Sequence, residues 1–416
     1  MLDLTFIRQN PEKIKKSTQE KGVDPKLIDQ LLEADKNRRE LINQVEKLKQ
    51  ERNQLHQNLK EKPGIDVIEK GRQLREKINK LEPELKKLKE EFQSLMLRIP
   101  NPPANDVKAG KDESENQVIK KWGWPAEFDF KVKDHLELGE DLGLIDMARA
   151  AKVSGTRFAY LKNDLVLLEF ALVQFAIEVL VKEGFIPIIP PVLIKKEAMR
   201  GMGYMEHGGE EDMYVLNKDN LVLVGTSEQT IGPMHKDEVF DSKKLPLRYA
   251  AFSTCFRREA GSYGQDTRGI LRLHQFDKLE MFSFTKPEKS DKEHEYLLSL
   301  EEKLFQALKI PYQVVKLCSG DLGVPSARTY DLEAWLPGQK KYREVTSAST
   351  TTDFQARRLN IKYNDGRETD YAHMLNGTAF AIGRTMIAIL ENCQQKDGTV
   401  KIPQVLQKYV GKEVIK

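Results

Sequence analysis

Apolar residues spaced three and four apart occupy the first quarter of the chain in two blocks. No other feature so narrows what the chain can fold into. Leu27, Leu31, Ala34, Leu41, Val45, Leu48, Leu55 and Leu59 make the first block, with Arg38 and Arg52 at the two positions that interrupt it. Leu74, Ile78, Leu81, Leu85, Leu88, Phe92, Leu95 and Ile99 make the second, beyond the stretch "KEKPGID". A 3.5-residue apolar repeat on both sides of a Pro-Gly turn predicts an antiparallel helical hairpin with a coiled-coil seam. It should cover about 26–99, with its tip at about 60–66. Helices of roughly 33 residues reach about 50 Å at 1.5 Å per residue. Pro83 lacks an amide donor, so a kink or break is expected near residues 79–83.

Prolines 100, 102 and 103, followed by glycine and polar residues, end this periodicity and read as a linker. The expected division is therefore an N-terminal domain over 1–110 and a second domain over 111–416. In the second part, amphipathic helices such as "DLVLLEFALVQFAIEVLVKEG" alternate with short β-rich runs. "LRYAAFSTCF" and "LEMFSF" flank a turn-rich loop, which suggests a hairpin rather than a βαβ unit. The fold class expected is α+β, an antiparallel sheet flanked by helices behind a helical arm.

Several function classes are disfavoured. Net charge is only +3, so a nucleic-acid surface would have to be a local patch. One such patch exists, because residues 47–80 hold ten Lys/Arg against five Asp/Glu. Cys255, Cys318 and Cys393 are widely separated and the seven histidines scattered, so no structural zinc and no disulfide framework are expected. The amino terminus lacks the apolar core of a signal peptide, and no stretch is apolar enough to span a membrane. A cytoplasmic protein is expected. Neither a P-loop nor a GxGxxG turn occurs.

Five segments carry residues suited to chemistry. "FRREAGSYGQDTRG" brings Arg257 and Glu259 to the end of one strand, and the return strand carries Phe276, Lys278, Glu280 and Phe282 on one face. Arginine for phosphate, an aromatic plane for a base and a carboxylate for an exocyclic amine can together hold a nucleotide. A solvated charged hairpin fits the same residues taken alone. "GTSEQT" sets Thr226 and Glu228 at the end of an apolar run, a pair able to grip a small amino compound. "YREVTSAST" offers Glu344 beside hydroxyls, which can hold Mg²⁺ with phosphate oxygens, although in isolation it reads as a turn. In "LNGTAFAIGRTMIAILENCQ", glycines lead into an apolar helix with Arg384 in its first turns. "GFIPIIPPVL" reads as a helix end and a proline-blunted sheet edge.

Taken in order, these segments resemble those of the class II aminoacyl-tRNA synthetases and, within them, the seryl-tRNA synthetases. "FRREAGSYGQDTRGILRLHQFDKLE", "NGTAFAIGR" and "GFIPIIPPVL" are similar to the second, third and first family motifs. The resemblance implies a homodimer with Pro191 at its interface, a tRNA-binding arm, and ATP, L-serine and Mg²⁺ as ligands. It implies nucleotide contacts from Arg257, Arg258, Glu259, Arg272, Leu273, Phe276, Glu344, Val345, Thr346, Ser347 and Arg384, with Arg257 and Arg384 catalytic. Serine would be held by Thr226, Ser227, Glu228, Arg257, Glu280, Asn376 and Thr378, and Mg²⁺ by Glu344 and Ser347. Lys60, Lys62, Lys70, Arg72 and Arg75 would meet tRNA(Ser), with tRNA(Sec) a further implied substrate. Thr378 stands where many relatives carry serine, which would tighten the pocket by one methyl. A non-charging paralogue and a class II synthetase for another amino acid are the alternatives.

Overall fold

The computed structural model describes residues 1–57, 64–260 and 268–416. The chain divides into two compact units, Met1–Pro100 and Asn101–Lys416.

In the first unit, α1 (Leu4–Gln9) and α2 (Pro11–Glu20) precede two long helices, α3 (Lys26–Gln57) and α4 (Ile65–Arg98). The long pair is antiparallel. Arg38 lies over the Phe92 ring at 4.1 Å and Lys49 bonds Glu82 at 2.7 Å, so advance along α3 is retreat along α4. Leu31, Leu41 and Val45 of α3 and Leu74, Ile78 and Leu95 of α4 are buried, as the seam spacing predicts. Arg38, which interrupts the apolar series, fills its place by stacking on Phe92 while bonding Asp35. Asp35 is almost fully buried, and burial opposes its ionisation; the Arg38 and Arg8 guanidinium groups nonetheless hold its carboxyl below the usual range.

The break expected at Pro83 does not occur, for α4 runs through it without interruption. Proline there removes the bond to the Asn79 carbonyl, but both residues are exposed, so water can take that carbonyl. Lys60 and Lys62, with most of the expected tip, lie outside the described residues.

The second unit is built on an eight-stranded sheet. Its strands are β1 (Gln117–Trp122), β2 (Ile186–Ile188), β3 (Leu247–Phe256), β4 (Gln275–Thr285), β5 (Tyr312–Lys316), β6 (Arg328–Leu336), β7 (Lys341–Thr350) and β8 (His373–Ala381). Their spatial order is β1-β5-β6-β7-β8-β4-β3-β2, and every pairing is antiparallel except the edge pair β2–β3. The edge position of β2 accommodates Pro187, which cannot donate to a ladder.

Helices α5 (His135–Asp141), α6 (Asp164–Lys182), α7 (Glu228–Met234), α8 (Ser290–Leu308) and α9 (Ile382–Asn392) complete the elements needed here. Leu168, Leu172 and Ala176 of α6, Leu297 and Leu304 of α8 and Ile387 and Leu390 of α9 share one buried apolar cluster with the sheet. In β6 the alternation is regular: Leu332, Ala334 and Leu336 are buried, while Asp331 and Glu333 are only partly so. One face of the sheet is thus apolar and helix-covered, and the other carries polar groups into a cleft.

Two local devices shape that cleft. Val345 is an extra residue in β7 opposite β6, and Ala379 an extra residue in β8 opposite β4. Each bulge turns the strand by one residue, so Glu344 and Ser347, three apart, come to the same face. The proline-marked stretch after residue 100 is not free chain. Asn101 is buried and its amide donates to the carbonyls of Pro325 and Thr351, both at 2.9 Å.

No helix among the described residues is long and apolar enough to cross a membrane.

Candidate active site

Strand β3 ends at Phe256, one residue short of the predicted arginine. Arg257 still follows the hairpin, since its N–H donates to the His274 carbonyl at 3.0 Å. Its side chain lies against Gly225: Nε donates to the Gly225 carbonyl at 3.1 Å, and a Cβ on that glycine would sit 3.4 Å from the guanidinium arm. The guanidinium is 5.4 Å from the Phe276 ring centroid. Glu259 has a φ of +53° beyond the strand end and pairs with Arg272. With Ile270, Leu271 and Leu273, these residues wall a pocket whose far side is Glu344 and Arg384. Arg384, in the first turn of α9, bonds the Glu344 carboxylate at 2.9 Å and its carbonyl at 3.1 Å. One end of the site therefore concentrates guanidinium groups around an aromatic ring.

The adjoining cleft shares Arg257, Lys278, Glu344 and Thr378 with that pocket. Lys278 and Glu280 project from the same face of β4 as Phe276, as predicted; Phe282, next on that face, is buried in an apolar cluster at the far end of the strand. Lys278 Nζ is 2.6 Å from Glu280, and both side chains are almost wholly buried. The Thr378 hydroxyl donates to Glu280, 3.2 Å from either oxygen, so the hydroxyl is tied to the pocket wall. Asn376 lines the same cleft.

The strand carrying the "GTSEQT" pair ends earlier than predicted, at Leu223, and Glu228 instead opens α7. This turn into a helix still delivers its carboxyl to the cleft. Tyr204 donates to Glu228 Oε1 at 2.6 Å, whereas Oε2 is buried with no hydrogen-bond partner among the described residues. Burial and the nearby Glu280 charge push the Glu228 carboxyl up to about 7. An acceptor left in this condition calls for a donor from outside the protein.

The stretch 342–350 is not a turn but β7, a strand inside the sheet. Its partner β6 contributes Asp331, which no sequence pattern singled out. Burial and the adjacent Glu344 charge drive the Asp331 carboxyl well above its ordinary range, while Ser347 hydrogen-bonds it. For Glu344 the cleft walls oppose ionisation, but the Arg384 guanidinium wins and holds its carboxyl below the usual range. Glu344, Ser347 and Asp331 offer oxygen ligands only, the type a hard divalent cation takes, and a cation there would favour the ionised form of Asp331.

Four predicted residues lie off the cavity walls or turn from them, and of these Thr226 is buried, with its hydroxyl accepting from Lys278 Nζ at 3.5 Å. Ser227 is fully buried, with its hydroxyl directed to the Ala251 carbonyl. Thr346 donates to Glu301 on the helical side, so it offers the pocket backbone rather than hydroxyl. Arg258 lies over Tyr214 and lines neither cavity. Lys278, Tyr204 and Asp331 are among the residues that sequence reasoning left out of the site. The face shared by Phe276 and Glu280 already signalled Lys278; nothing local signals Tyr204. Pro191 is exposed just past β2, and Lys70, Arg72 and Arg75 are exposed on α4, where Arg72 pairs with Glu76.

Comparison with known proteins finds similarity along the whole chain. Residues 1–103 match the model of the seryl-tRNA synthetase N-terminal domain, and residues 214–393 that of the tRNA synthetase class II core domain (G, H, P, S and T). A serine--tRNA ligase of Dictyoglomus thermophilum is 47% identical over 422 residues, covering 100% of this chain and 99% of the relative. One from Dictyoglomus turgidum is 45% identical over 417 residues, covering 99% and 98%. Seryl-tRNA synthetase from Pyrococcus horikoshii, solved with ATP, superposes with a TM-score of 0.94 at 41% identity, covering 100% of this chain and 99% of its own. With both halves matched and the relatives aligned over essentially their full length, the chain belongs to the seryl-tRNA synthetase family.

Proposed function

We propose that the pocket and cleft are one active site, in which L-serine and ATP give seryl-adenylate and pyrophosphate before serine passes to the 3′ end of tRNA(Ser). The observation that carries this reading is the buried Glu228 Oε2, without a partner among the described residues, beside the Thr378–Glu280 pair. An ammonium group satisfies the first and a hydroxyl suits the second, and serine has both. Arg257 sits where pocket and cleft join, within reach of a substrate carboxylate on one side and a phosphate on the other.

In this mechanism a serine carboxylate oxygen attacks the α-phosphorus, the new P–O bond forms, and the bond to pyrophosphate breaks. Charge spreads over phosphate oxygens, so the protein's contribution is orientation and fixed positive charge. Phe276 stacks the adenine, Glu259 accepts from its amino group, Arg272 backs that wall, and Leu273 and Val345 close the sides. Arg257 takes the α-phosphate and Arg384 the γ-phosphate. Mg²⁺, when bound, neutralises phosphate charge, and Glu344 and Ser347 are the residues that would hold it. Thr226, Glu228, Glu280, Asn376 and Thr378 hold serine. In the second step the ribose hydroxyl of the tRNA attacks the activated carbonyl and AMP leaves.

The exposed basic residues of α4, Lys70, Arg72 and Arg75, suit phosphate contacts that position an RNA without reading its bases. The resemblance extends this to tRNA(Sec). Exposed Ile186 and Ile189 beside Pro191 are apolar surface that a second copy would cover, consistent with a homodimer in the cytoplasm.

The test is amino-acid-dependent pyrophosphate exchange across a panel including threonine and glycine. Serine should be preferred, and Arg257→Ala should lower exchange about 10²-fold or more with the fold intact. Near-parental exchange in that variant, or preference for another amino acid, would overturn the assignment.

A further inference from the structure

The wall of the nucleotide pocket is fastened from outside the pocket. Arg268 bonds Asp134 at 2.8 Å and approaches Glu137 at 3.7 Å, at the start of α5. Gly269 follows with a φ of +69°, and a Cβ there would collide with His135 Nε2. The next N–H, that of Ile270, donates to the same Nε2 at 3.3 Å. From Ile270 the chain runs directly through Leu271, Arg272 and Leu273, four consecutive residues of the wall. His135 is 2% exposed and lines neither cavity.

The imidazole has only one arrangement that satisfies its partners. An amide N–H faces Nε2, so Nε2 must offer a lone pair and the ring proton must sit on Nδ1. Nδ1 then donates to Glu391 Oε1 at 3.1 Å, and the His135 backbone N–H reaches the same oxygen at 3.1 Å. Glu391, wholly buried in α9, accepts the Gly338 N–H on its other oxygen at 2.9 Å. Its side chain therefore ties three segments together and fixes the tautomer. The relay runs from α9 through α5 to the strand-entry segment that carries Arg272.

We infer that His135, oriented by Glu391, is a positioning residue whose Nε2 lone pair sets the Ile270–Leu273 wall at the height that ATP binding requires. The inference rests on the reading of that pocket as the nucleotide site. Pyrophosphate exchange at varied ATP and varied serine, on the full chain, tests it. His135→Phe keeps the ring volume but leaves a buried N–H unpaired, so KM for ATP should rise about tenfold while KM for serine stays within about twofold. His135→Gln can present its carbonyl to Ile270 and its amide to Glu391, and should return KM for ATP to within about threefold of the parent. Should His135→Phe fail to fold, His135→Asn replaces it, because the shorter amide reaches Glu391 but not Ile270. Parental KM for ATP in the Phe or Asn variant, equal shifts for ATP and serine, or no rescue by glutamine would each overturn the inference. A parent protein without serine-dependent exchange would overturn the nucleotide reading itself, and a competent parent with indifferent variants only the relay.

Discussion

Glu228→Gln should make the second unit more stable at alkaline pH while abolishing its use of serine. Glu228 is 7% exposed, and burial with the Glu280 charge raises its carboxyl from 4.5 to about 7. A raised carboxyl is protonated in the fold but ionised in the unfolded chain between those values. The fold binds more protons there, so its contribution to stability is lost as pH rises through the window. Raising the carboxyl from 4.5 to about 7, at about 1.4 kcal/mol per pH unit, makes the penalty about 3–4 kcal/mol above pH 7, and it fades out below about 4.5. Glutamine keeps an oxygen for the Tyr204 hydroxyl and cannot ionise, so it removes the penalty. All three tryptophans, Trp122, Trp124 and Trp335, lie in the second unit, so fluorescence-monitored urea unfolding reads that unit alone. Parent and variant should be nearly equal at about pH 4 and differ by about 3–4 kcal/mol at about pH 8. Serine binding to the parent should release protons near neutrality, since an ammonium requires the carboxylate; calorimetry in buffers of different ionisation enthalpy reads this. Parallel stability curves, or a variant that still exchanges with serine, would refute both the buried-acid argument and the ammonium site.

Two other perturbations test different parts of the molecule. Lys278→Met leaves buried Glu280 without its ion pair and should destabilise the second unit by about 3–5 kcal/mol, whereas Lys278→Met with Glu280→Gln should recover most of that loss, as read by the same urea titration; a double variant no better than the single one would sink the pairing argument. Replacing residues 30–96 by a short linker should preserve serine-dependent exchange but collapse tRNA charging, and reversing Lys70, Arg72 and Arg75 should weaken tRNA binding and flatten its salt dependence; charging by the truncated protein at close to the parental rate would remove the arm from recognition.

The elements that the sequence revealed are those whose signal is local. The seam from Leu27 to Ile99 needs only neighbours three and four away, and the β3–β4 hairpin pairs two strands that follow one another along the chain. Phe276, Lys278 and Glu280 were legible as one face because a strand repeats every two residues. The same rule misleads at Glu344 and Ser347, where the Val345 bulge adds a residue and reverses the parity. It also fails at Thr226 and Glu228, where the strand stops at Leu223 and a helix takes over. Pro83 shows the opposite error. A local rule predicted a break, but the freed carbonyl faces water and the seam residues on either side hold the helix.

What stayed hidden lies where one partner is distant in sequence and neither has an unusual neighbourhood. Tyr204 reads as a loop aromatic until Glu228, twenty-four residues on, accepts its hydroxyl. His135 and Glu391 are 256 residues apart, the first opening one helix and the second near the end of another, and only the fold brings them together. The groups that touch substrate in this reading sit on contiguous stretches that a family motif can mark. Those that set their height come from segments far apart in the sequence and leave no motif. Glycine is the one trace they leave. At Gly269 the His135 ring, and at Gly338 the Asp134 backbone together with the Glu391 carboxylate, occupy the space a Cβ would take. A glycine beside a motif thus marks a close approach whose partner only the fold can name.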